Sequence, residues 1–487
     1  MGRLTEMPNE ITLMIIRLVL PDDIESFTST CTQIYNVATE DLERHRTLKR
    51  KHRVYGYEDP SRYRDPRLYS APYPLSNRCS LAQLLDEILQ EPRIAFYVHE
   101  VSIHGWRRKW SAQEHLEIMR PENRHLPYSE GTISRLRKAV SDLVPQDEVS
   151  SWMRCIRSGC EDPIISLLLL LLPNLSTLKL NHLGEELEYL CDTLYHISNM
   201  KSPAAPLSRL RHVQVPRYLE LVDIFAAIPS VRSIHGFNIH EFITDTDWDT
   251  DLAPRTSKLE DLTFATCIIN PKRFCEFLET FEALRSFTYH SDIEKIRNDQ
   301  RMEFDPFWIR SGLSACARST LQSLTLLSHD KKSNFMGDIR CFRAVRHLHT
   351  ETQLLLRQAS MHHDETSLAK TLPPKLEILK LECSGLGDEI GIARLISTLA
   401  KLKKEYVPAL REVEVVTRNG ISDFNTSTDY PVSARLRNGR FSANYEAIVE
   451  VCKVQGIHLL VRAFDTTPSK TLDADEKKAA SSRATVR

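Results

Sequence analysis

A short apolar phrase recurs along this chain and restricts its fold more than any other feature of the sequence. The phrase has an apolar residue at a first position, numbered 0, and again at positions +3 and +5, as in Val98, Val101 and Ile103. Apolar residues two positions apart lie on the same face of a β-strand, so each copy predicts a strand with one buried face. Further full copies begin at Leu175, Leu210, Leu259, Leu284, Leu321, Leu376 and Leu410, and degraded copies begin at Val231 and Val345.

Helical patterns separate these copies. From Leu175 onward the copies begin 21 to 37 residues apart, and segments between them such as 219–227, 271–281 and 391–402 favour helices. Units made of a strand and a helical return stack on their neighbours to bury a shared core. The pattern resembles leucine-rich repeats, whose units are about 20–29 residues long, although it is less regular and lacks the Asn that usually follows the strand. It is most similar to the irregular leucine-rich solenoids of fungal F-box proteins.

The pattern predicts the extent of the solenoid and of its neighbours. The solenoid is expected over residues 80–465, with a closing strand at 457–461 and an insertion at 104–165 that contains a helix near 133–143. Residues 51–79 are predicted to be a linker, and the polar tail 466–487 is predicted to be disordered. The solenoid is therefore expected to fold without the residues that precede it.

The first fifty residues carry three short amphipathic helical patterns. In the first, Ile11, Met14, Ile15 and Leu18 share one helical face and follow Pro8, which suits a first helical turn. A unit of this size buries little apolar surface, so we expect it to need a partner or a neighbouring domain.

This N-terminal text is similar to the F-box family, which typically opens Leu-Pro-x-Glu-Ile and has an Asp-Leu step into its second helix. Here Met7 and Ile24 stand where the family usually has leucine. The resemblance covers roughly residues 4–45 and implies a three-helix domain at 1–50, which makes the fold class α plus α/β solenoid; an unrelated helical hairpin is the alternative. It implies that an adaptor protein binds at Met7, Pro8, Ile11, Ile15, Leu20, Ile24, Phe27, Cys31, Ile34 and Tyr35.

The resemblance implies a substrate-recognition subunit of a Skp–cullin–F-box ubiquitin ligase. The helices would bind the Skp adaptor, and through it the cullin–RING ligase, while the solenoid would bind a target protein that the sequence does not identify. Catalysis would belong to the partners, so we expect neither an enzyme nor a cofactor. Two alternatives are a leucine-rich interaction scaffold that meets no ligase, and an enzyme that uses the insertion.

The strand phrase also predicts where a target binds. Residues at +2, +4 and +6 point away from the buried residues at +3 and +5, and so form the opposite, concave face. Six of the thirty residues at these positions are histidine, which can donate or accept a hydrogen bond or carry charge. We expect target binding at His212, His235, His290, His347, His349, Lys179 and Lys380, and His104 completes the six histidines.

Charge and cysteine content argue against other classes. Lys and Arg total 64 against 65 Asp and Glu, so a net charge of −1 gives no general attraction to nucleic acid or to an anionic membrane. The basic segment 44–67 allows nucleic-acid binding or nuclear import as an alternative to a solvated helix end. Eleven scattered cysteines without a Cys-x-x-Cys pair, and no signal peptide, predict the cytoplasm or the nucleus. No ligand spacing predicts a metal site.

Overall fold

The structure is a computed structural model in which the described residues divide into two compact units. The first comprises the described residues up to Ile239 together with Thr256–Leu259, and the second comprises Arg255 and the described residues from Glu260 onward. The structure describes residues 7–19, 21–58, 81–104, 129–181, 187–200, 202, 205–239, 255–291, 304–328, 334–356, 366–383, 389–419 and 439–465. The predicted disordered tail 466–487 lies outside these ranges.

Four helices open the first unit, where the sequence predicted three. They are α1 (Asn9–Leu18), α2 (Ile24–Thr28), α3 (Thr32–Val37) and α4 (Thr39–His52). The predicted third helix is divided at Ala38, which ends α3 and begins α4, and α4 runs two residues past the predicted boundary at 50. Their common core consists of Ile16, Ile24, Ile34, Ala38 and Leu42, each at most 3% exposed.

The prediction of a linker at 51–79 is wrong for its first residues. Helix α4 continues to His52, and strand β1 (Val54–Glu58) follows and pairs in parallel with β2 (Glu100–His104). The phrase was hidden because its position 0 is occupied by His52, while Tyr55 and Tyr57 at +3 and +5 are buried. Residues 59–79 lie outside the described part of the chain.

The remaining strands of the first unit follow in chain order, each parallel to the one before it. They are β3 (Thr177–Asn181), β4 (His212–Pro216) and β5 (Ser233–Phe237). Helices and a 3₁₀ helix, Pro92–Tyr97, connect the strands. The helices are α5 (Leu81–Gln90), α6 (Glu130–Leu143), α7 (Val149–Arg157), α8 (Asp162–Leu171), α9 (Glu188–Asn199) and α10 (Leu219–Ala227).

The predicted insertion contributes helices to the core of the first unit. Its expected helix is present as α6, but α7 and α8 follow, and α6 and α8 pack on α5. Helix α8 is buried along nearly its whole length because its apolar residues face neighbours on all sides. Tyr57 of β1 donates a hydrogen bond to the carboxylate of Glu161, at 2.8 and 2.9 Å from its two oxygens. The predicted linker and the predicted insertion therefore meet in one buried contact.

The second unit repeats the same strand and helix arrangement. Its neighbouring strands are again parallel and in chain order. The strands are β6 (Asp261–Ala265), β7 (Ser286–Ser291), β8 (Ser323–Ser328), β9 (His347–Glu351), β10 (Ile378–Cys383), β11 (Glu412–Asn419) and β12 (His458–Asp465). The helices are α11 (Pro271–Leu278), α12 (Pro306–Cys316), α13 (Thr352–Leu355), α14 (Ser367–Thr371), α15 (Glu389–Tyr406) and α16 (Gly439–Val454).

All ten copies of the phrase form strands, and each strand begins two residues after position 0. Side chains alternate at +2 to +5 of the strands; in β7, Phe287 and Tyr289 are buried while Thr288 and His290 are half-buried. The prediction that +6 also faces away from the core is wrong in six strands, whose +6 residues are buried: Asn181, Pro216, Leu327, Glu351, Glu382 and Val416. The predicted closing strand is present as β12. Buried residues at +3 and +5 thus form the core against the helices, and the residues between them form the opposite face of the sheet.

The contact between Tyr57 and Glu161 gives a test of this arrangement. Replacing Tyr57 with Phe removes a donor from a carboxylate that is only 2% exposed. We expect the free energy of unfolding to fall by about 1–3 kcal/mol, the usual cost of leaving a buried polar group unsatisfied. Urea unfolding measures it, with Tyr195→Phe, at a tyrosine 50% exposed, as the control. Equal stability of the two variants would contradict a structural role for β1.

Candidate docking surfaces

Helix α1 presents apolar side chains to solvent on one side. Ile11, Met14 and Leu18 are 41%, 61% and 80% exposed. At 100° per residue these positions share one stripe of the helix, on the side opposite Thr12 and Ile16, which are buried. We name Ile11, Met14 and Leu18 the outer face of α1. Three large apolar side chains exposed on one helix are a feature of surfaces that bind another protein.

The predicted adaptor-binding residues fall into three groups. Pro8, Ile11 and Tyr35 are exposed, and Tyr35 lies on α3, which packs on α1. Ile24 and Ile34 are buried in the helical core, so they support the surface and cannot contact a partner directly. Met7, Ile15, Phe27 and Cys31 are half-buried, and Leu20 lies outside the described residues.

The predicted set omitted two residues of the outer face. Met14 and Leu18 are more exposed than Ile11 and Tyr35, the two members of that set that are 41% and 45% exposed. The sequence placed both residues on the helical face of Ile11, because they follow it by three and seven residues. Periodicity alone does not tell which apolar stripe of a helix faces the core and which remains exposed.

Side chains of the first repeats fasten the N-terminal helices in place. The guanidinium of Arg93 donates to the carbonyl oxygens of Arg17 and Val19 at the end of α1, both at 3.5 Å. Asp22, in the turn before α2, accepts hydrogen bonds from Arg209 at 2.9 Å and from Asn174 at 3.3 Å. A cation at a helix C-terminus also complements the helix dipole.

The basic segment that began at Arg44 takes part in this fastening. Arg44 pairs with Glu91 at 2.8 Å, and Lys51 pairs with Glu87 at 3.0 Å. Lys49 lies 3.3 Å from the carboxylate of Glu25. These three cations form ion pairs within the first unit. The pairing favours the interpretation of the basic segment as a solvated helix end over that of a nucleic-acid-binding site.

Two buried histidines of α4 face the first repeat. Nδ1 of His45 lies 3.0 Å from the hydroxyl of Tyr97, and its Nε2 lies 3.3 Å from Glu25. Nε2 of His52 lies 3.8 Å from Glu87 and has no hydrogen-bond partner among the described residues. Burial lowers the pKa of both histidines, because it disfavours the charged imidazolium. Both side chains are therefore neutral at pH 7.

The predicted histidine face is divided between the two units, three residues in each. In the first unit His104 lies 3.1 Å from Ser102 and 3.3 Å from the amide of Asn181. His212 is exposed, and burial lowers the pKa of the half-buried His235. Each of these side chains lies on a different strand, so the first unit offers separated polar contacts and no compact cluster.

The corresponding face of the second unit is held by a hydrogen bond between His349 and Glu382 and by an ion pair between Lys380 and Glu414. Nε2 of His349 lies 2.8 Å from Glu382, and Lys380 lies 3.6 Å from Glu414. His347 is exposed on the same strand as His349, and His290 is half-buried on β7. Lys179 of the first unit is paired in the same way, with Glu100 at 2.6 Å. Both predicted lysines are therefore partly neutralised by a carboxylate on the neighbouring strand.

The described residues show neither a cluster of metal ligands nor a membrane-spanning helix. Within the described ranges, no group of three or more His, Cys, Asp or Glu side chains is placed to hold a metal ion. No helix in the same ranges combines the length and the apolar character needed to cross a membrane.

The chain matches a known protein family over most of its length. A family model described as a leucine-rich repeat domain matches residues 76–430, which is more than half of the chain. No curated protein matches the chain. The match spans strands β2 to β11 and ends before β12, so it covers all ten copies of the phrase.

The outer face of α1 can be tested for independence from the core. We expect the double substitution Met14→Gln and Leu18→Gln to change the free energy of unfolding by less than about 1 kcal/mol, because both side chains are exposed. Ile16→Ala should cost about 2–5 kcal/mol, because Ile16 is fully buried between them on the same helix. Denaturant unfolding compares the variants. A double variant as unstable as Ile16→Ala would mean that the outer face is packed.

The buried histidines predict an acid-sensitive stability. Their folded-state pKa values lie below the ordinary value of 6.5, so below that pH the unfolded chain binds more protons than the folded one. Stability is therefore fully present above about pH 6.5 and falls as the pH drops below it. His52→Leu, which places an apolar side chain at position 0 of the first strand phrase, should reduce this loss.

Thermal unfolding between pH 7.5 and 5.5 measures the effect. His347→Gln, at an exposed histidine on β9, is the control and should keep the pH dependence of the parent chain. An unchanged pH dependence in His52→Leu would show that His52 is not protonated on unfolding.

Proposed function

The chain belongs to the leucine-rich repeat family, and we propose that it is the substrate-recognition subunit of a Skp–cullin–F-box ubiquitin ligase. Its leucine-rich repeat domain supports a protein-interaction scaffold. In this proposal α1 to α4 bind the Skp adaptor, and the repeats bind a target protein. The chain itself is non-catalytic, needs no cofactor and acts in the cytoplasm or the nucleus.

The observation that carries the proposal is the outer face of α1. Ile11, Met14 and Leu18 are exposed within the stretch of sequence that resembles an F-box. Burying large apolar side chains of this kind on a partner stabilises a complex by at most about 1.5–3 kcal/mol each before the costs of association, because part of each side chain is already covered. Pro8 and Tyr35 are exposed as well, and add to an apolar surface at this end of the chain.

The fastening of these helices supports the second half of the proposal. Arg93, Asp22 and Arg209 hold the helices on the same unit as the first five strands. A receptor that presents a target to an enzyme works by raising the effective concentration of the two reactants. Direct side-chain contacts maintain that geometry better than a flexible connection does.

The alternative is a leucine-rich scaffold without a ligase. The contacts of Arg93 and Arg209 with the N-terminal helices also suit this scaffold, in which the helices would cover the first repeats. Helix α4 leads into β1, and His52 and Tyr57 bury their side chains in the first unit. In that case the outer face of α1 would bind a partner other than the Skp adaptor, or a second copy of the chain.

The two functions are separated by adaptor capture. We expect the full chain to retain the purified Skp adaptor, and the Met14→Gln and Leu18→Gln double variant to lose at least about thirtyfold in affinity. Truncating central interface anchors typically costs 2 kcal/mol or more. The matched control is Leu143→Gln with Tyr195→Gln, at apolar side chains that are 41% and 50% exposed elsewhere in the first unit.

The control variant should bind the adaptor as tightly as the parent chain. No adaptor binding by the parent chain, or equal binding by both double variants, would reject the ligase proposal and leave the scaffold. Unfolding of each variant is measured alongside, so that a loss of binding is not a loss of structure.

A further inference from the structure

Strand β1 has a neighbouring strand on one side only among the described residues. It pairs in parallel with β2, and no described strand lies along its other side. In a parallel sheet, alternate residues of a strand turn their backbone groups toward opposite sides. The carbonyl of Arg53 accepts hydrogen bonds from the amides of His99 and Glu100, at 3.0 and 3.1 Å. The backbone groups of Arg53, Tyr55 and Tyr57 therefore face β2.

The residues between these turn their backbone groups away from β2. Val54, Gly56 and Glu58 occupy the alternate positions, and each has one amide hydrogen and one carbonyl oxygen on the outer side. The described residues form no backbone hydrogen bond with these groups of Val54 and Gly56. We name the outward backbone groups of Val54 and Gly56 the β1 edge.

The side chains at the β1 edge leave it accessible. Val54 is 55% exposed, and a Cβ atom placed on Gly56 would meet no atom within 4 Å. Edge strands of natural proteins are usually protected from pairing by charged side chains or by proline. Val54 and Gly56 have neither protection, and a glycine in a strand permits the close approach of another backbone.

The side chain of Val54 differs from those that follow it across the sheet. Val54 lies at position +2 of the first strand phrase. The residues at +2 on β2 to β5 are polar or charged: Glu100, Thr177, His212 and Ser233. Val54 therefore has no apolar neighbour at +2 of β2, and a segment that lies along the outer side of β1 would cover it.

We propose that the β1 edge binds an extended segment of the target protein, which joins the sheet as an additional strand. The segment would exchange backbone hydrogen bonds with Val54 and Gly56, and would place a β-branched apolar side chain beside Val54. Strand β1 has five residues, so it is about 17 Å long and matches a segment of about five residues. The proposal rests on the proposed function, and names the form in which the target is recognised.

A segment of the target fits the β1 edge better than a second copy of the chain does. Val54 and Gly56 lie at +2 and +4, so they continue the concave face on which the target is proposed to bind. Two copies joined through this five-residue strand alone would bury less than the roughly 1,200–2,000 Å² of a stable interface. A short extended segment needs only the backbone pairing and one apolar contact.

The test is direct binding of labelled peptides to the full purified chain, measured by fluorescence anisotropy. The probe is the uncharged peptide Gly-Ser-Val-Thr-Val-Thr-Val-Ser-Gly, whose central part favours an extended strand. The control peptide has the same side chains, but its five central amides are N-methylated. The control therefore cannot donate backbone hydrogen bonds from these residues to an adjoining strand.

Two substitutions at the β1 edge test the site on the chain. Gly56→Pro removes an outward amide hydrogen and no bond to β2, which is the position where a strand tolerates proline. Gly56→Ala keeps that amide hydrogen, so it should bind the probe more tightly than Gly56→Pro does. Val54→Lys removes the apolar contact and places a charge at the edge, which discourages pairing.

The matched controls carry the same replacements elsewhere. Gly131→Pro changes an exposed glycine in the first turn of α6, where a helix tolerates proline. Val454→Lys changes a valine that is 79% exposed at the end of α16 in the second unit. Both control variants should bind the probe as tightly as the parent chain.

We expect Gly56→Pro and Val54→Lys each to weaken binding of the probe by at least about tenfold. The parent chain should bind the N-methylated peptide more weakly than the probe by a similar factor. Thermal unfolding shows whether the variants are folded, and Val54→Lys decides the result if Gly56→Pro is not. Because this assay contains no adaptor, its result is independent of adaptor capture.

Three outcomes would overturn the proposal. Equal affinity of the parent chain for the two peptides would exclude backbone pairing. Equal affinity of Val54→Lys and Val454→Lys for the probe would exclude the β1 edge as the site. A dimer of the parent chain that Gly56→Pro abolishes in sedimentation would assign the edge to a second copy of the chain.

Discussion

The repeated burial of two alternate side chains per strand is the constraint on which the rest of the structure depends. Each strand places its +3 and +5 residues against the helices, as Leu178 and Leu180 do with no exposed surface. Parallel neighbours then bond backbone to backbone. The first strand, β1, bonds β2 on one side and follows directly from helix α4, and the hydrogen bond from Tyr57 to Glu161 holds it on the core of the first unit.

The spacing of apolar residues was sufficient to predict ten strands. A strand that is buried on one face has apolar residues at every second position, whatever its register with the neighbouring strands. It failed at β1 for a physical reason. His52 is buried at position 0 and the tyrosines at +3 and +5 carry hydroxyl groups, so the segment reads as polar although its side chains are buried. Helix α6 was assigned to an insertion because the sequence does not show that it packs on α5. Local periodicity does not reveal which segments, distant in the chain, bury one another's side chains.

The candidate surfaces were predictable to different degrees. Periodicity placed Ile11, Met14 and Leu18 on one helical face, but only the packing of Ile16 inward shows which stripe remains exposed. The histidine face was located on the correct side of the strands, yet the pairing of His349 with Glu382 depends on the register of β9 and β10.

One turn of the first unit connects the N-terminal helices to the repeats. Asp22, in the turn that follows α1, accepts a hydrogen bond from Arg209, three residues before β4. Arg93 donates to carbonyl oxygens at the end of α1. All of these residues belong to the same compact unit, so the contacts hold α1 on the first repeats. Under the proposed function, an adaptor bound at the outer face of α1 would be held close to a target bound on those repeats, whereas a flexible linker would dilute the two over a larger volume.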